Sequence, residues 1–190
     1  MKSAVLIVDA QNDFMEFGAL EVPGSNRILQ PIVNIVSADK FPVFWTLDSH
    51  PRDHCSFKRN GGQWPDHCIE DSYGWEIHPK LDEYISDKDM MVYKGQDPKF
   101  DSYSGFYDDG GNSTHLDKEL VKAKIDHLYV CGLATEYCVK FTVLDALAAG
   151  FKVSVVLNAI KGIDPVEEIK AIEEMAKEGA KLIVSRDVLK

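Results

Sequence analysis

Six short segments of this chain are apolar almost from end to end rather than alternating polar with apolar residues, and that pattern restricts the fold more than anything else in the sequence. A strand with one face in water alternates, whereas a strand that is apolar throughout is covered on both faces. The runs occupy residues 3–8, 42–47, 89–93, 127–131, 151–157 and 181–184. Stretches with helical spacing lie at about 25–38, 114–124, 136–149 and 165–178. Their ends carry the expected punctuation: Ser25 and Asp164 as N-caps, Pro165 in a first helical position, and Gly150 and Gly179 as C-terminal stops. Strand and helix in alternation predict an α/β fold, a parallel sheet between layers of helices. With 190 residues, 45% hydrophobic, and neither a linker nor a low-complexity block, the whole chain 1–190 is expected to form one domain.

In such a sheet a ligand binds beyond the carboxyl ends of the strands. Chemistry should therefore gather just after each run. Asp9 follows the first run, Asp48 the second and Lys94 the third, and the fourth leads into Gly132-Leu-Ala-Thr-Glu-Tyr-Cys138. A carboxylate, a metal-binding cluster, an amine and a thiol are predicted to meet in one cleft.

The cluster consists of Asp48, His50, His54 and His67, four metal-capable side chains in one Pro/Gly-rich segment. Imidazoles with one carboxylate suit zinc, iron(II) or manganese better than the oxygen-preferring calcium and magnesium. One divalent ion is expected, with zinc placed first. Two plainer readings stand beside it: a solvated loop that happens to hold histidines, or a structural zinc held by Cys55 and Cys68.

Cys138 lies in the first turn of a helix entered from a strand. Backbone N–H groups and the helix dipole there favour a thiolate, and the N–H groups of Ala134 and Cys138 are candidates for an oxyanion hole. A buried structural cysteine is the alternative, as Cys131 inside its strand is read. Asp9, after a wholly apolar strand, is expected to be desolvated and to serve as general base, or else simply to cap a turn. Lys94 would balance their charge, unless it is merely solvated. His78, His115 and His127 fit no part of the cluster and are read as surface or capping residues.

Composition narrows the partners. A formal charge of −10 disfavours nucleic acid and anionic membranes, and no apolar stretch approaches the roughly 20 residues of a membrane span. Four cysteines are too few for a disulfide framework, and no charged, apolar and small-residue leader opens the chain, so a cytoplasmic protein is expected. A small neutral ligand is favoured. The mixed-charge segment at 167–178 reads as a solvated helix face or the border of a homo-oligomer contact.

Taken in order, Asp9-Ala-Gln-Asn-Asp-Phe14, the Asp48/His50/His54/His67 set, Tyr93-Lys-Gly95 with Tyr103-Ser-Gly-Phe106, and Gly132-Leu-Ala-Thr-Glu-Tyr-Cys-Val139 resemble the nicotinamidases among the isochorismatase-like cysteine hydrolases. The resemblance covers essentially the whole chain. It implies a six-stranded Rossmann-like sheet, an Asp9, Lys94 and Cys138 triad, and a metal on Asp48, His50, His54 and His67. It further implies a cis peptide between Leu133 and Ala134, Phe14 and Trp64 flanking the substrate ring, and Tyr103 at the mouth. The implied reaction is hydrolysis of nicotinamide to nicotinate and ammonia through a thioester on Cys138, with pyrazinamide as a second substrate. The water that cleaves the thioester is activated by Asp9 or delivered from the metal. Rival readings keep the fold and change the substrate to another small amide or carbamoyl compound, or make the chain a non-catalytic metal-binding or thiol-sensing module.

Overall fold

A computed structural model describes residues 2–190. Six parallel strands form one sheet in the order β3-β2-β1-β4-β5-β6: β1 (Ser3–Val8), β2 (Val43–Asp48), β3 (Met90–Lys94), β4 (His127–Leu133), β5 (Lys152–Lys161) and β6 (Lys181–Ile183). The chain builds outward from β1 to β2 and β3, then returns to the other side of β1 with β4. That reversal opens a crevice at the carboxyl ends of β1 and β4, where doubly wound sheets bind ligands.

Alternate residues of each strand face opposite ways, and the core divides accordingly. Val5, Ile7, Trp45 and Leu47 join one apolar cluster with α1 (Leu29–Val36), α2 (Pro79–Asp82) and α6 (Ser185–Val188). Ala4, Leu6, Val8 and Phe44 join the other with α3 (Leu116–Lys122), α4 (Lys140–Ala148) and α5 (Pro165–Lys177). Both faces are covered, which is why the central strands are apolar throughout.

The element ends differ instructively from expectation. Asp164 caps α5 as expected, accepting from the backbone N–H groups of Val166 and Glu167 at 2.7 and 3.1 Å. Ser25 does not cap a helix: it opens a 3₁₀ turn, Ser25–Ile28, behind a left-handed Gly24, and its hydroxyl is buried. The expected helix at 136–149 begins instead with a wide π-type turn, Thr135–Val139, before α4. Helices α2 and α6 are single turns, too short to leave a periodic signal. Among the described residues no helix is long and apolar enough to cross a membrane.

Candidate functional site

Four strand ends deliver the site. Beyond β1 the chain swings away at Asp9, whose φ of 49° is in the left-handed region that Asp tolerates better than most residues. Its carboxylate, fully buried, accepts from the Thr46 hydroxyl of β2 at 2.7 Å and lies 2.9 Å from Lys94 Nζ. Lys94, the last residue of β3, is itself buried. Its ammonium group also contacts Asp48, donates to the Ser102 carbonyl at 2.8 Å and reaches Cys138 Sγ at 3.5 Å. The structure thus brings Asp9, Lys94 and Cys138 together from three parts of the chain.

Burial and charge set the protonation states. Desolvation raises the pKa of Asp9 above its ordinary value, against the pull of Lys94. For Lys94 burial works against the charge, yet Asp48 and Asp9 outweigh it and hold the amine protonated well above the usual lysine range. Burial also pushes the Cys138 thiol well up, and the neighbouring ammonium only partly offsets it. This corrects the expectation of a thiolate favoured by a helix N-terminus. The turn at Cys138 is enclosed, so the group rests as a thiol and needs a base.

Beside this trio stand the metal-capable side chains. Asp48 Oδ2 lies 3.5 Å from His50 Nε2 and 3.9 Å from His67 Nε2, and the donor atoms of all three lie within 4.8 Å of one another. His50 Nδ1 faces the Gly95 carbonyl at 3.0 Å, and His67 Nδ1 faces the Pro65 carbonyl at 2.8 Å. A carbonyl only accepts, so each Nδ1 carries the proton and each Nε2 keeps its lone pair for the space beside Asp48. Such outer hydrogen bonds fix the tautomer of metal-ligating histidines. Burial lowers the pKa of His67, favouring its neutral ligand form; for His50 burial acts the same way but is outweighed by Asp48, which raises its pKa, so that nitrogen would give up a proton on taking a metal. The donor set fits one divalent transition metal.

His54 falls in a second metal-capable grouping, with His50 and Asp101, rather than in the one that holds Asp48 and His67. Its Nε2 faces the Phe100 carbonyl at 3.1 Å and so carries the proton, while its Nδ1 accepts from the Ser56 hydroxyl at 2.7 Å. The ring stacks on His50 with centroids 4.1 Å apart and buttresses that ligand. The thiol alternative fares worse: among the described residues, no metal-capable grouping includes Cys55 or Cys68.

Of these groups, Asp48, His67 and Cys138 reach one cavity, which Phe14, Trp64, Tyr103 and Ala134 also line among others. Phe14 packs against His67 with centroids 5.7 Å apart. The Tyr103 hydroxyl accepts from Trp64 Nε1 at 3.0 Å and Gln63 Nε2 at 2.9 Å, joining mouth and wall, and burial pushes its pKa up to about 12. The peptide between Leu133 and Ala134 is cis.

Sequence reasoning missed five contributors. Leu20, Asp101, Ser102, Tyr137 and Ile163 also line the cavity. Tyr137 stands edge-on to Trp64 at 5.0 Å, a placement produced by its irregular backbone inside the wide turn. No periodic signal announces such a kink. His78 caps α2, accepting from the Lys80 N–H at 3.2 Å, and His115 precedes α3 as its N-cap residue, though its side chain caps nothing. His127 is not at the surface: it is buried between the Ser3 and Ser154 hydroxyls.

Comparison with known proteins decides the family. The isochorismatase domain matches residues 3–187. The chain belongs to the isochorismatase family. Among curated members of the family, the nicotinamidase of Escherichia coli K12 is 38% identical, over 97% of this chain and 95% of its own. Among solved structures, the pyrazinamidase of Pyrococcus horikoshii in complex with zinc superposes with a TM-score of 0.87 at 35% identity, covering 97% of this chain and 99% of that one. PnC1 from L. infantum in complex with nicotinate gives a TM-score of 0.92 at 34% identity, over 97% and 93% of the two chains.

Proposed function

We propose that the chain is a nicotinamidase, an amidohydrolase that converts nicotinamide to nicotinate and ammonia and accepts pyrazinamide. The observation that carries this reading is the meeting of Asp9, Lys94 and Cys138 with Asp48, His50 and His67 beside one aromatic-walled cavity that Asp48, His67 and Cys138 line. The named relatives and the nicotinate and zinc complexes of similar proteins support it.

In this mechanism the pyridine ring lies between Phe14 and Trp64, with Tyr103 at the mouth. Asp9, ionised beside Lys94, takes the proton of Cys138, and Sγ attacks the carboxamide carbon. The N–H groups of Ala134 and Cys138 hold the developing oxyanion, each such donor being worth about 3 kcal/mol in a transition state. Asp9 returns its proton to the leaving amine, ammonia departs, and a thioester remains on Cys138. Asp9 then deprotonates a water, which cleaves the thioester to give nicotinate and restores the thiol. Lys94 stays charged throughout and offsets the negative charge that passes between Asp9 and Cys138. A divalent metal, zinc by our reading with iron or manganese also suited, would be held by Asp48, His50 and His67 and would supply a Lewis acid that anchors the ring nitrogen.

The four free thiols agree with a cytoplasmic, reducing setting. Ammonia release from nicotinamide by the wild type, by Cys138→Ala and by chelator-treated protein tests the proposal. Wild-type turnover that both treatments abolish is expected; equal release in all three removes both the triad and the metal.

A further inference from the structure

The end of β1 has to supply two things: Asp9 as a base, and something to hold Asp48 on the neighbouring strand. The β1/β2 ladder runs in register to Val8 opposite Thr46, and the Asp9 N–H still donates to the Thr46 carbonyl at 3.0 Å. The left-handed backbone at Asp9 then carries the main chain out of the sheet. The next rung, opposite Asp48, has no main-chain partner from β1.

Gln11 fills it with a side chain. Its Oε1 accepts from the Asp48 N–H at 2.8 Å, while Nε2 donates to the Asp48 carbonyl at 2.7 Å and to the Trp75 carbonyl at 2.7 Å. The residue is wholly buried. One carboxamide thus acts as a surrogate peptide group, with both N–H donors used and its oxygen engaged. Two facing carbonyls and one facing N–H leave no ambiguity about which way the amide points.

We infer that Gln11 is a positioning residue for the metal centre: it extends the β1/β2 ladder by one rung and so fixes the backbone that aims the Asp48 carboxylate at His50 and His67. This rests on the metal reading proposed above. Gln11 touches no ligand nitrogen and no reacting atom, and it acts only through the main chain of Asp48. The same rung ties the loop that carries Asp9 to the strand end that carries the metal ligand, so the base and the metal keep a fixed separation.

The test is zinc affinity, measured by competition with a chromogenic chelator, for wild type, Gln11→Glu and Gln11→Met. The glutamate keeps the shape but turns an acceptor toward two carbonyls; the methionine removes all three bonds without adding repulsion. We expect zinc binding weaker by about tenfold to a hundredfold in both variants, the range found for losing an outer partner of a ligand, and recovery of kcat at saturating zinc. A residue that is only structural lowers the melting temperature of the zinc-free protein and leaves zinc affinity unchanged; that result overturns the inference. If Gln11→Glu is insoluble, Gln11→Met decides alone. A wild type that binds no zinc removes the metal reading itself, and the inference with it, whereas wild-type binding matched within twofold by Gln11→Met removes only the inference.

Discussion

One ammonium group, that of Lys94, faces two carboxylates, a carbonyl and a thiol, so every charge in the site is set relative to it. Cys138 is the group whose loss costs most: Cys138→Ala is expected to lower kcat at least about 10³-fold, as removal of a covalent nucleophile does, while circular dichroism stays unchanged. In the proposed mechanism the acid limb of activity belongs to Asp9. Burial raises its pKa above the ordinary 3.8, and the base is present only above that raised value, so kcat/KM falls as pH drops through it, well before an exposed aspartate would protonate. Thr46 donates to the ionised form, so Thr46→Val should move that limb upward; a limb that stays in place assigns it to another group. The types of these side chains, and their positions after strands, were legible in the sequence. So was the raised pKa of Asp9, from its place after a wholly apolar strand. The protonated thiol of Cys138 and the partners of His54 were not, because they depend on enclosure and on groups such as Phe100 and Ser56, far or unremarkable in sequence.

At the scale of elements, β1, β2, β3 and β4 deliver their functional residues at one edge because their apolar runs end there. That much is written in the pattern of the strands, and five of the six were anticipated to within two residues at both ends. β5 was not, because it continues to Lys161 beyond a register shift opposite β4. Two glycines show how closely the strand ends are fitted. Gly132 has a φ of 119°, and a Cβ there would stand 2.0 Å from the Val8 carbonyl oxygen. Gly132→Ala is expected to destabilise the fold by roughly 1–3 kcal/mol from backbone strain alone, with the clash added, readable as a lowered urea midpoint. Gly95 has a φ of 68°, and a Cβ there would meet His50 Cε1 at 2.4 Å. Gly95→Ala should therefore weaken zinc binding more than it lowers stability; an unchanged zinc affinity would show that His50 does not ligate. The kinked segment Thr135–Val139 was the least legible element, since the sequence reads as a continuous helix and nothing in it marks the non-helical backbone at Tyr137.

For the whole molecule, two apolar layers hold the sheet while a third set of contacts, at its carboxyl edge, is polar, buried and charged. A metal bound there links distant segments and should stabilise the entire fold by mass action. At a free zinc concentration 100 times the dissociation constant the gain is about 2.7 kcal/mol, or roughly 5–10 °C in melting temperature for a chain of this size. Chelation should remove that increment and zinc should restore it. The central claim, however, is that a sulfur, an acid, an amine and a metal-capable cluster from distant parts of the chain act as one catalytic centre. Acid quenching during steady turnover of nicotinamide, followed by intact and peptide mass spectrometry, tests it most directly. One nicotinoyl group on the Cys138 peptide, absent from Cys138→Ala, is the predicted result; turnover that proceeds with no acyl adduct, or with the adduct on another residue, would contradict it.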